Sequence, residues 1–314
     1  MSSLSRCRPM RHLAPTALLL ASAVRLSAQV PAPAPLDWWS DDSSRVAFVT
    51  AHGQARHYPN LVIWALTDSL DPGWFPPFAD SLATSLSALR ALLGGPYSWQ
   101  RIGHRPLVYY LSPGRFISHA TGQDTVFISL GHVRRGWAPF LHEGAHELLA
   151  PPPPFSPFEY PDSLAAEQAA ARFPFWLSEG MPDYLAQAIV QVTGFREGDV
   201  FAIGGLPKVD STCHARLSGH PRRAEIAAKV GGLGRLEALF TTERQEVAPT
   251  FYACSQSFTK YLVDRVGLGA MVALFPRVPD GTWLADLETR AGAPLPVLRR
   301  AWLAALHIPD DTPD

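Results

Sequence analysis

The chain has 314 residues, of which 47% are apolar, 27 are Lys or Arg and 28 are Asp or Glu. A formal charge of −1 and a charged fraction of 18% exclude a nucleic-acid binder that depends on a broad basic surface, and also a long charged disordered tail. Three cysteines are too few for a scaffold built on disulfides, so composition predicts a globular protein with a substantial core.

The N-terminal segment, residues 1–28, has the pattern of a secretory signal peptide. Basic residues precede an apolar run, and small residues follow it: Arg6, Arg8, Arg11, Leu13 to Val24, and Leu26-Ser27-Ala28. The run of about twelve residues is shorter than the roughly 20 that span a bilayer, so cleavage after Ala28 is favoured over a retained anchor, which stays the alternative. We expect a secreted or periplasmic protein with no stable membrane span.

Beyond the signal, alternating Pro and Ala predict a linker over residues 29–44, followed by one domain over 45–314. Its lobes are expected at about 45–149 and 150–314. Leucines at 82, 86, 89 and 93 predict a helix that ends at Gly94, and helical patterns predominate after residue 137. Apolar, β-branched runs predict strands at Arg45 to Thr50, Leu61 to Leu66, Pro106 to Leu111 and Thr125 to Leu130. The fold class predicted is α+β.

A His-Glu-x-x-His motif begins at His142. On a helix, His142 and His146 lie on one face and can bind one metal ion, while Glu143, about 100° away, can act as a base toward a water beside it. Zn²⁺ suits imidazole and carboxylate ligands. The alternative is a solvated helix with two surface histidines, but a buried pair needs a partner, and apolar neighbours predict burial: Phe140, Leu141, Ala145, Leu148 and Leu149.

A third ligand is expected from the segment Phe175 to Leu185. Glu179 is predicted to lie at the start of a helix, with Pro182 in the first turn, and Asp183 is one turn further on the same face. Asp183 can therefore reach the outer N–H of a ligand imidazole. The alternatives are that Glu179 only complements the helix dipole, or that another carboxylate is the ligand: Glu147, Glu159 or Glu167.

Together, the His-Glu-x-x-His motif and the sequence Trp-Leu-Ser-Glu-Gly-Met-Pro-Asp-Tyr at 176–184 resemble the gluzincin metallopeptidases of the peptidase MA-like superfamily. The resemblance, over residues 45 to 305, implies a thermolysin-like, two-lobed fold. It implies zinc ligands His142, His146 and Glu179, with Glu143 as general base and Asp183 orienting a ligand histidine. It also implies that the strand containing Thr125, Val126, Phe127 and Ile128 is the sheet edge that pairs with a peptide substrate.

The segment Phe251 to Gly267 is similar to a further helix of that family. In related aminopeptidases a tyrosine there donates to the oxyanion, which makes Tyr252 the matching residue; the alternative is a core aromatic. Two features depart from the family. The 33-residue interval from His146 to Glu179 contains a proline-rich segment, and no Gly-x-Met-Glu-Asn element is present. The second departure favours an endopeptidase over an aminopeptidase.

Removal of the signal peptide leaves Cys213 and Cys254. In an exported protein two cysteines are expected to form a disulfide, the alternative being two buried thiols. The sequence as a whole predicts an exported zinc peptidase that acts on peptides or proteins. Two other classes stay open: a zinc hydrolase of a non-peptide substrate, since the ligands do not define the substrate, and a catalytically silent binding module. The oligomeric state is not indicated.

Overall fold

The computed structural model describes residues 41–66, 71, 73–94, 106–114, 116–121, 124–149, 174–232, 244–277 and 281–310. They belong to one of the two units into which the chain divides, Pro35–Asp314. The predicted signal peptide, most of the predicted linker and the proline-rich segment after His146 lie outside the described residues.

A mixed five-stranded sheet forms the N-terminal part of the fold. Its strands are β1 (Gln54–Tyr58), β2 (Leu61–Ala65), β3 (Leu107–Ser112), β4 (His119–Ala120) and β5 (Thr125–Ser129). The order is β1-β2-β3-β5-β4, with the three central strands parallel and the two outer strands antiparallel to their neighbours. The central strands are the predicted apolar runs at 61, 106 and 125, as expected for strands with both faces covered.

The first predicted strand is instead a helix, α1 (Asp42–His52). The prediction of a strand at Arg45 to Thr50 is therefore wrong. The side chain of Asp41 accepts a hydrogen bond from the backbone N–H of Ser44 at 2.6 Å and caps the helix. The buried residues are Arg45 and Val49, which are one helical turn apart. The helix begins inside the stretch predicted as linker, residues 29–44.

Two helices pack beneath the sheet near β3. In α2 (Phe75–Leu93) the leucine stripe is buried, and the helix ends at Gly94 as predicted. In α4 (Phe140–Leu149) the carbonyl oxygen of Phe140 accepts a hydrogen bond of 2.8 Å from the hydroxyl of Tyr109 on β3. A Cβ at Gly144 would clash with that hydroxyl and with Leu86 of α2. Glycine at this position therefore lets α4 lie close against both elements.

Helices make up the rest of the described chain. After α3 (Leu130–Arg135) and α4, they are α5 (Phe175–Thr193), α6 (Val209–Leu217), α7 (Arg223–Lys229), α8 (Arg244–Val266), α9 (Leu268–Val272), α10 (Trp283–Ala291) and α11 (Leu295–Ala305). The long helix α8 packs against α5 and α6. Three fully buried tryptophans fill this part of the core: Trp176, Trp283 and Trp302. The fold is α+β, in agreement with the sequence prediction.

A disulfide joins Cys213 of α6 to Cys254 of α8, with an S–S distance of 2.09 Å. This confirms the predicted pairing and excludes the alternative of two buried thiols. Both cysteines are fully buried, so the bond lies inside the helical core. It fixes α8 next to α6 at the turn that also carries Tyr252.

The edge of the sheet next to α4 is β4, and not β5. Ala120 and His119 of β4 pair with Val126 and Phe127 of β5. The prediction that Thr125 to Leu130 forms the sheet edge is therefore wrong. A two-residue strand leaves no periodic pattern in the sequence, which is why β4 escaped prediction. Among the described helices, none is long and apolar enough to cross a membrane.

Candidate metal centre

Helix α4 carries the two motif histidines on one face, as their four-residue spacing predicts. The Nε2 atoms of His142 and His146 lie 3.0 Å apart. Their rings are roughly perpendicular, with centroids separated by 4.6 Å. His142 is buried, with 8% of its surface exposed, and His146 is half-buried. The surface-histidine alternative is therefore excluded for His142.

Helix α5 places the carboxylate of Glu179 beside these two Nε2 atoms. Oε2 of Glu179 lies 3.4 Å from Nε2 of His142 and 3.7 Å from Nε2 of His146. Only 4% of Glu179 is exposed. Among the described residues, His142, His146 and Glu179 form the group that can hold a metal ion, with their ligand atoms all within 4.8 Å of one another.

The spacing of these three atoms fits a tetrahedral ion. At metal–ligand distances of about 2.0–2.2 Å, tetrahedral geometry separates neighbouring ligand atoms by about 3.3–3.6 Å. The three separations in the cluster, 3.0, 3.4 and 3.7 Å, bracket that value. Among the described residues the group supplies two imidazoles and one carboxylate, a set of three protein ligands that a tetrahedral ion can bind.

The start of α5 differs from the prediction. The helix begins at Phe175 after Pro174, so Glu179 lies in the second turn and Pro182 lies in the helix interior. The predicted helix start at Glu179 and the position of Pro182 in the first turn are therefore wrong. Glu179 is buried against the two histidines, and this contact explains a carboxylate at this position better than an interaction with the helix terminus does. Proline at 182 removes one main-chain hydrogen bond of the helix within this part of the site.

Asp183 contacts the histidine cluster from the same face of α5 as Glu179. Its Oδ1 lies 2.7 Å from Nδ1 of His142, on the side of the ring away from the cluster. This is the arrangement predicted for it. A carboxylate on Nδ1 fixes the tautomer that leaves Nε2 free to bind a metal. The side-chain amide of Gln256 on α8 donates to the backbone oxygen of Asp183 at 3.2 Å and joins the two helices here.

The cluster has an excess of negative charge. Burial lowers the pKa of His142, but the charge of Asp183 and the hydrogen bonds that the imidazole donates to Asp183 and Glu179 outweigh burial and raise this pKa well above its usual value. Burial raises the pKa of Glu179, but the charges and hydrogen bonds of His146 and His142 outweigh it and hold this pKa well below the usual range. The cluster therefore attracts positive charge, which a proton or a divalent metal ion can supply.

Glu143 lies between the two histidines in sequence but does not belong to the ligand group. It is buried, with 7% of its surface exposed. Burial raises its pKa, and the positive charges of His142 and His146 oppose that shift. A buried carboxylate next to a ligand cluster has the chemistry required of a proton acceptor.

Replacing Asp183 with Asn is expected to weaken zinc binding about 10- to 100-fold, because the carboxylate that fixes the imidazole of His142 is lost. Competition with a chromophoric chelator measures the zinc affinity. Asp264→Asn is the matched control, since Asp264 is an exposed carboxylate on α8 that pairs with Lys260. A zinc affinity of Asp183→Asn within twofold of the wild type would contradict the assigned contact.

Glu147, an alternative ligand in the sequence, has another role. Its carboxylate accepts hydrogen bonds from the backbone N–H groups of Thr121 at 2.7 Å and Asp124 at 2.9 Å. It is not a member of the ligand group. The other two alternatives, Glu159 and Glu167, lie outside the described residues.

A glutamate that sequence patterns do not single out caps α4. Glu197, in the loop after α5, accepts hydrogen bonds from the backbone N–H of Leu141 at 2.9 Å and of His142 at 3.1 Å. Burial raises the pKa of Glu197 to about 8, although these two N–H groups lower it. The cap satisfies N–H groups that the first turn of a helix leaves unpaired. Its 55-residue separation from His142 explains why no local motif reveals it.

Tyr252 lies on α8, two residues before the disulfide-bonded Cys254. Its half-buried ring stacks on Phe201, with centroids 4.5 Å apart, and packs beside Phe175 and Val209. These contacts show how the ring is held. The donation of its hydroxyl to an oxyanion stays a prediction.

No protein-family model matches the chain, and neither does any curated protein or any solved structure. Function is therefore inferred from the geometry of the cluster and from the two sequence motifs that form it.

Proposed function

We propose that the protein is a zinc-dependent peptidase. The observation that carries the proposal is the convergence of Nε2 of His142, Nε2 of His146 and Oε2 of Glu179 at separations suited to tetrahedral zinc. Buried Glu143 beside this cluster adds the proton acceptor that hydrolysis requires and that a purely structural metal site does not. The resemblance to gluzincin metallopeptidases supports the same reaction.

Each residue has a distinct task in this reaction. Zinc, when bound, polarises a carbonyl and lowers the pKa of a water molecule toward about 7. Glu143 accepts the proton of the attacking water and passes it to the amine that leaves. Asp183 keeps the imidazole of His142 in the tautomer that binds metal. Tyr252 is proposed to donate to the oxyanion, and the disulfide at Cys254 supports it by fixing α8.

Among the described strands β4 is the outermost on this side of the sheet, and its edge is proposed to align the substrate. The N–H of Thr121 donates to the carbonyl of Thr125, so 121 and 125 are a hydrogen-bonded pair of the antiparallel ladder. Because such pairs alternate, the N–H and C=O of Ala120 point away from β5. An extended peptide can pair with these groups. We therefore propose that β4, which pairs with β5, binds the substrate backbone in place of the segment Thr125 to Ile128.

The mode of cleavage and the location of the protein are proposed from the sequence and from the disulfide. The lack of a Gly-x-Met-Glu-Asn element favours cleavage within chains over removal of N-terminal residues. The signal-like N-terminus and the Cys213–Cys254 bond support an exported protein, secreted or periplasmic, since disulfides persist in oxidising compartments.

The test compares zinc-loaded protein, protein stripped with a chelator, and stripped protein with zinc restored. Each is incubated with a library of internally quenched peptides and, separately, with a panel of esters and non-peptide amides. We expect cleavage within the peptides, its loss on stripping and its recovery with zinc. Zinc-dependent turnover of esters or amides without peptide cleavage would establish a non-peptide hydrolase. Stoichiometric zinc without turnover on any substrate would establish a binding module.

A further inference from the structure

The strand β4 is so short that its hydrogen bonds with β5 alone do not fix its position. It has two residues, His119 and Ala120, which give few ladder hydrogen bonds with β5. Side-chain contacts fix its start. Nε2 of His119 lies 3.0 Å from Oδ2 of Asp42 on α1, and Oγ of Ser118 lies 2.9 Å from Nδ1 of His132 on α3. The end of the strand is fixed from α4.

Glu147 makes that link to α4. The N–H of Thr121 is shared: it donates to Oε1 of Glu147 at 2.7 Å and to the carbonyl of Thr125 at 3.0 Å. Oε2 of Glu147 accepts from the N–H of Asp124 at 2.9 Å. Thr121 and Asp124 lie at the two ends of the connection between β4 and β5. Asp124 has a left-handed backbone with a φ of 64°, and its carbonyl accepts from the N–H of Val108 on β3 at 2.8 Å. The ends of this connection are thus held by α4 on one side and by β3 on the other.

The chemistry of the contact requires a glutamate. Only 2% of Glu147 is exposed, and both of its oxygens accept from backbone N–H groups. A glutamine offers one acceptor oxygen, and its NH₂ group would face the other N–H. An aspartate is one methylene shorter, so its carboxylate would be drawn back from both N–H groups. Hydrogen bonds to a charged acceptor are stronger than those to a neutral one. One glutamate can therefore hold both Thr121 and Asp124 in place.

We infer that Glu147 is a positioning residue that sets the register of the substrate-pairing edge against the metal cluster. It follows the ligand His146 directly in α4, so one rigid helix carries both a metal ligand and the anchor of β4. The inference rests on the proposed peptidase function. Loss of the anchor displaces the N–H and C=O of Ala120 from the substrate backbone, while the metal ligands keep their geometry.

The test measures binding of two hydroxamates to the zinc-loaded protein by calorimetry, which needs no turnover. Acetohydroxamic acid reaches the metal alone, whereas acetyl-trialanine hydroxamate also extends along β4. Wild type is expected to bind the tripeptide probe more tightly. In Glu147→Gln we expect the tripeptide probe to bind about tenfold more weakly and acetohydroxamic acid to bind within twofold of wild type. Faster hydrogen exchange across residues 116–128 is expected in the same variant.

Glu197→Gln is the matched control, because the half-buried carboxylate of Glu197 also accepts from two backbone N–H groups, at the other end of α4. It is expected to keep the wild-type ratio of the two affinities. Glu147→Asp gives a second variant if Glu147→Gln does not fold, with the same expected change in ratio. An unchanged ratio in the Glu147 variant, or equal weakening of both probes, would overturn the positioning role and leave the peptidase proposal intact. Equal affinity of wild type for both probes would overturn the substrate-pairing edge, and the role of Glu147 with it.

Discussion

Replacing Glu143 with Gln is expected to lower the turnover of peptide substrates by about 10³-fold or more while zinc binding stays intact. Glutamine has the size of glutamate but cannot accept the proton of the attacking water. The ligand group consists of His142, His146 and Glu179, so the metal keeps all three of its protein ligands in this variant. Turnover is measured with the quenched peptide that wild type cleaves fastest, and zinc content by elemental analysis after gel filtration.

Two comparisons separate the base from the ligands. His146→Ala and Glu179→Ala are expected to lose both zinc and turnover, because each removes one of three ligand atoms. Glu246→Gln, an exposed glutamate on α8, controls for removal of a carboxylate. Peptide cleavage by Glu143→Gln at the wild-type rate would exclude Glu143 as the base. Retention of zinc in both ligand variants would exclude the metal centre itself.

The candidate metal centre could be predicted from sequence because each of the two motifs that form it is local. The spacing of His142 and His146 needs only the period of a helix, and the same period brings Asp183 onto the face of Glu179. The choice of Glu179 over Glu147 needed more, since Glu147 follows His146 directly whereas Glu179 lies 33 residues further along the chain. Sequence alone left that choice open. Among the described residues, the contacts of Glu147 with the backbone N–H groups of Thr121 and Asp124 decide against Glu147 as the ligand.

The parts that sequence missed depend on contacts between distant segments or on weak local signals. Val46, Ala47, Phe48 and Val49 suggest a strand, yet the cap at Asp41 and the burial of one helical face make them a helix. Glu197 caps α4 from another loop. The short β4 has no pattern of its own and is held by side chains from three helices. Tertiary contacts override the intrinsic preference of short segments, so such elements cannot be obtained from periodicity.

Gly180, the residue after Glu179, lies where α5 packs closely against α8. A Cβ built on Gly180 would lie 2.5 Å from Oγ1 of Thr259, 2.6 Å from the carbonyl oxygen of Ser255 and 2.8 Å from its carbonyl carbon. Two of these three atoms are main-chain atoms that no rotamer change can move. The adjacent Cys254 is disulfide-bonded to α6, which restricts any retreat of α8.

Gly180→Ala is therefore expected to lower the free energy of unfolding by about 3 kcal/mol or more, since the extra methyl group can be accommodated only by separating two packed helices. The same separation moves Glu179, so zinc affinity is expected to fall as well. Urea unfolding of the zinc-free protein measures the first effect without a contribution from bound metal. Chelator competition measures the second.

Gly269→Ala provides the matched control. Gly269 is an exposed glycine in α9, and a Cβ there meets nothing within 4 Å. Alanine is expected to raise the free energy of unfolding by up to about 1 kcal/mol at this position, because it restricts the unfolded chain and favours the helix. The two substitutions add the same methyl group and should change stability in opposite directions. If Gly180→Ala unfolds at the same urea concentration as the wild type, then α5 and α8 are not in contact at this glycine. In that case the contact does not hold the carboxylate of Glu179 beside the histidines.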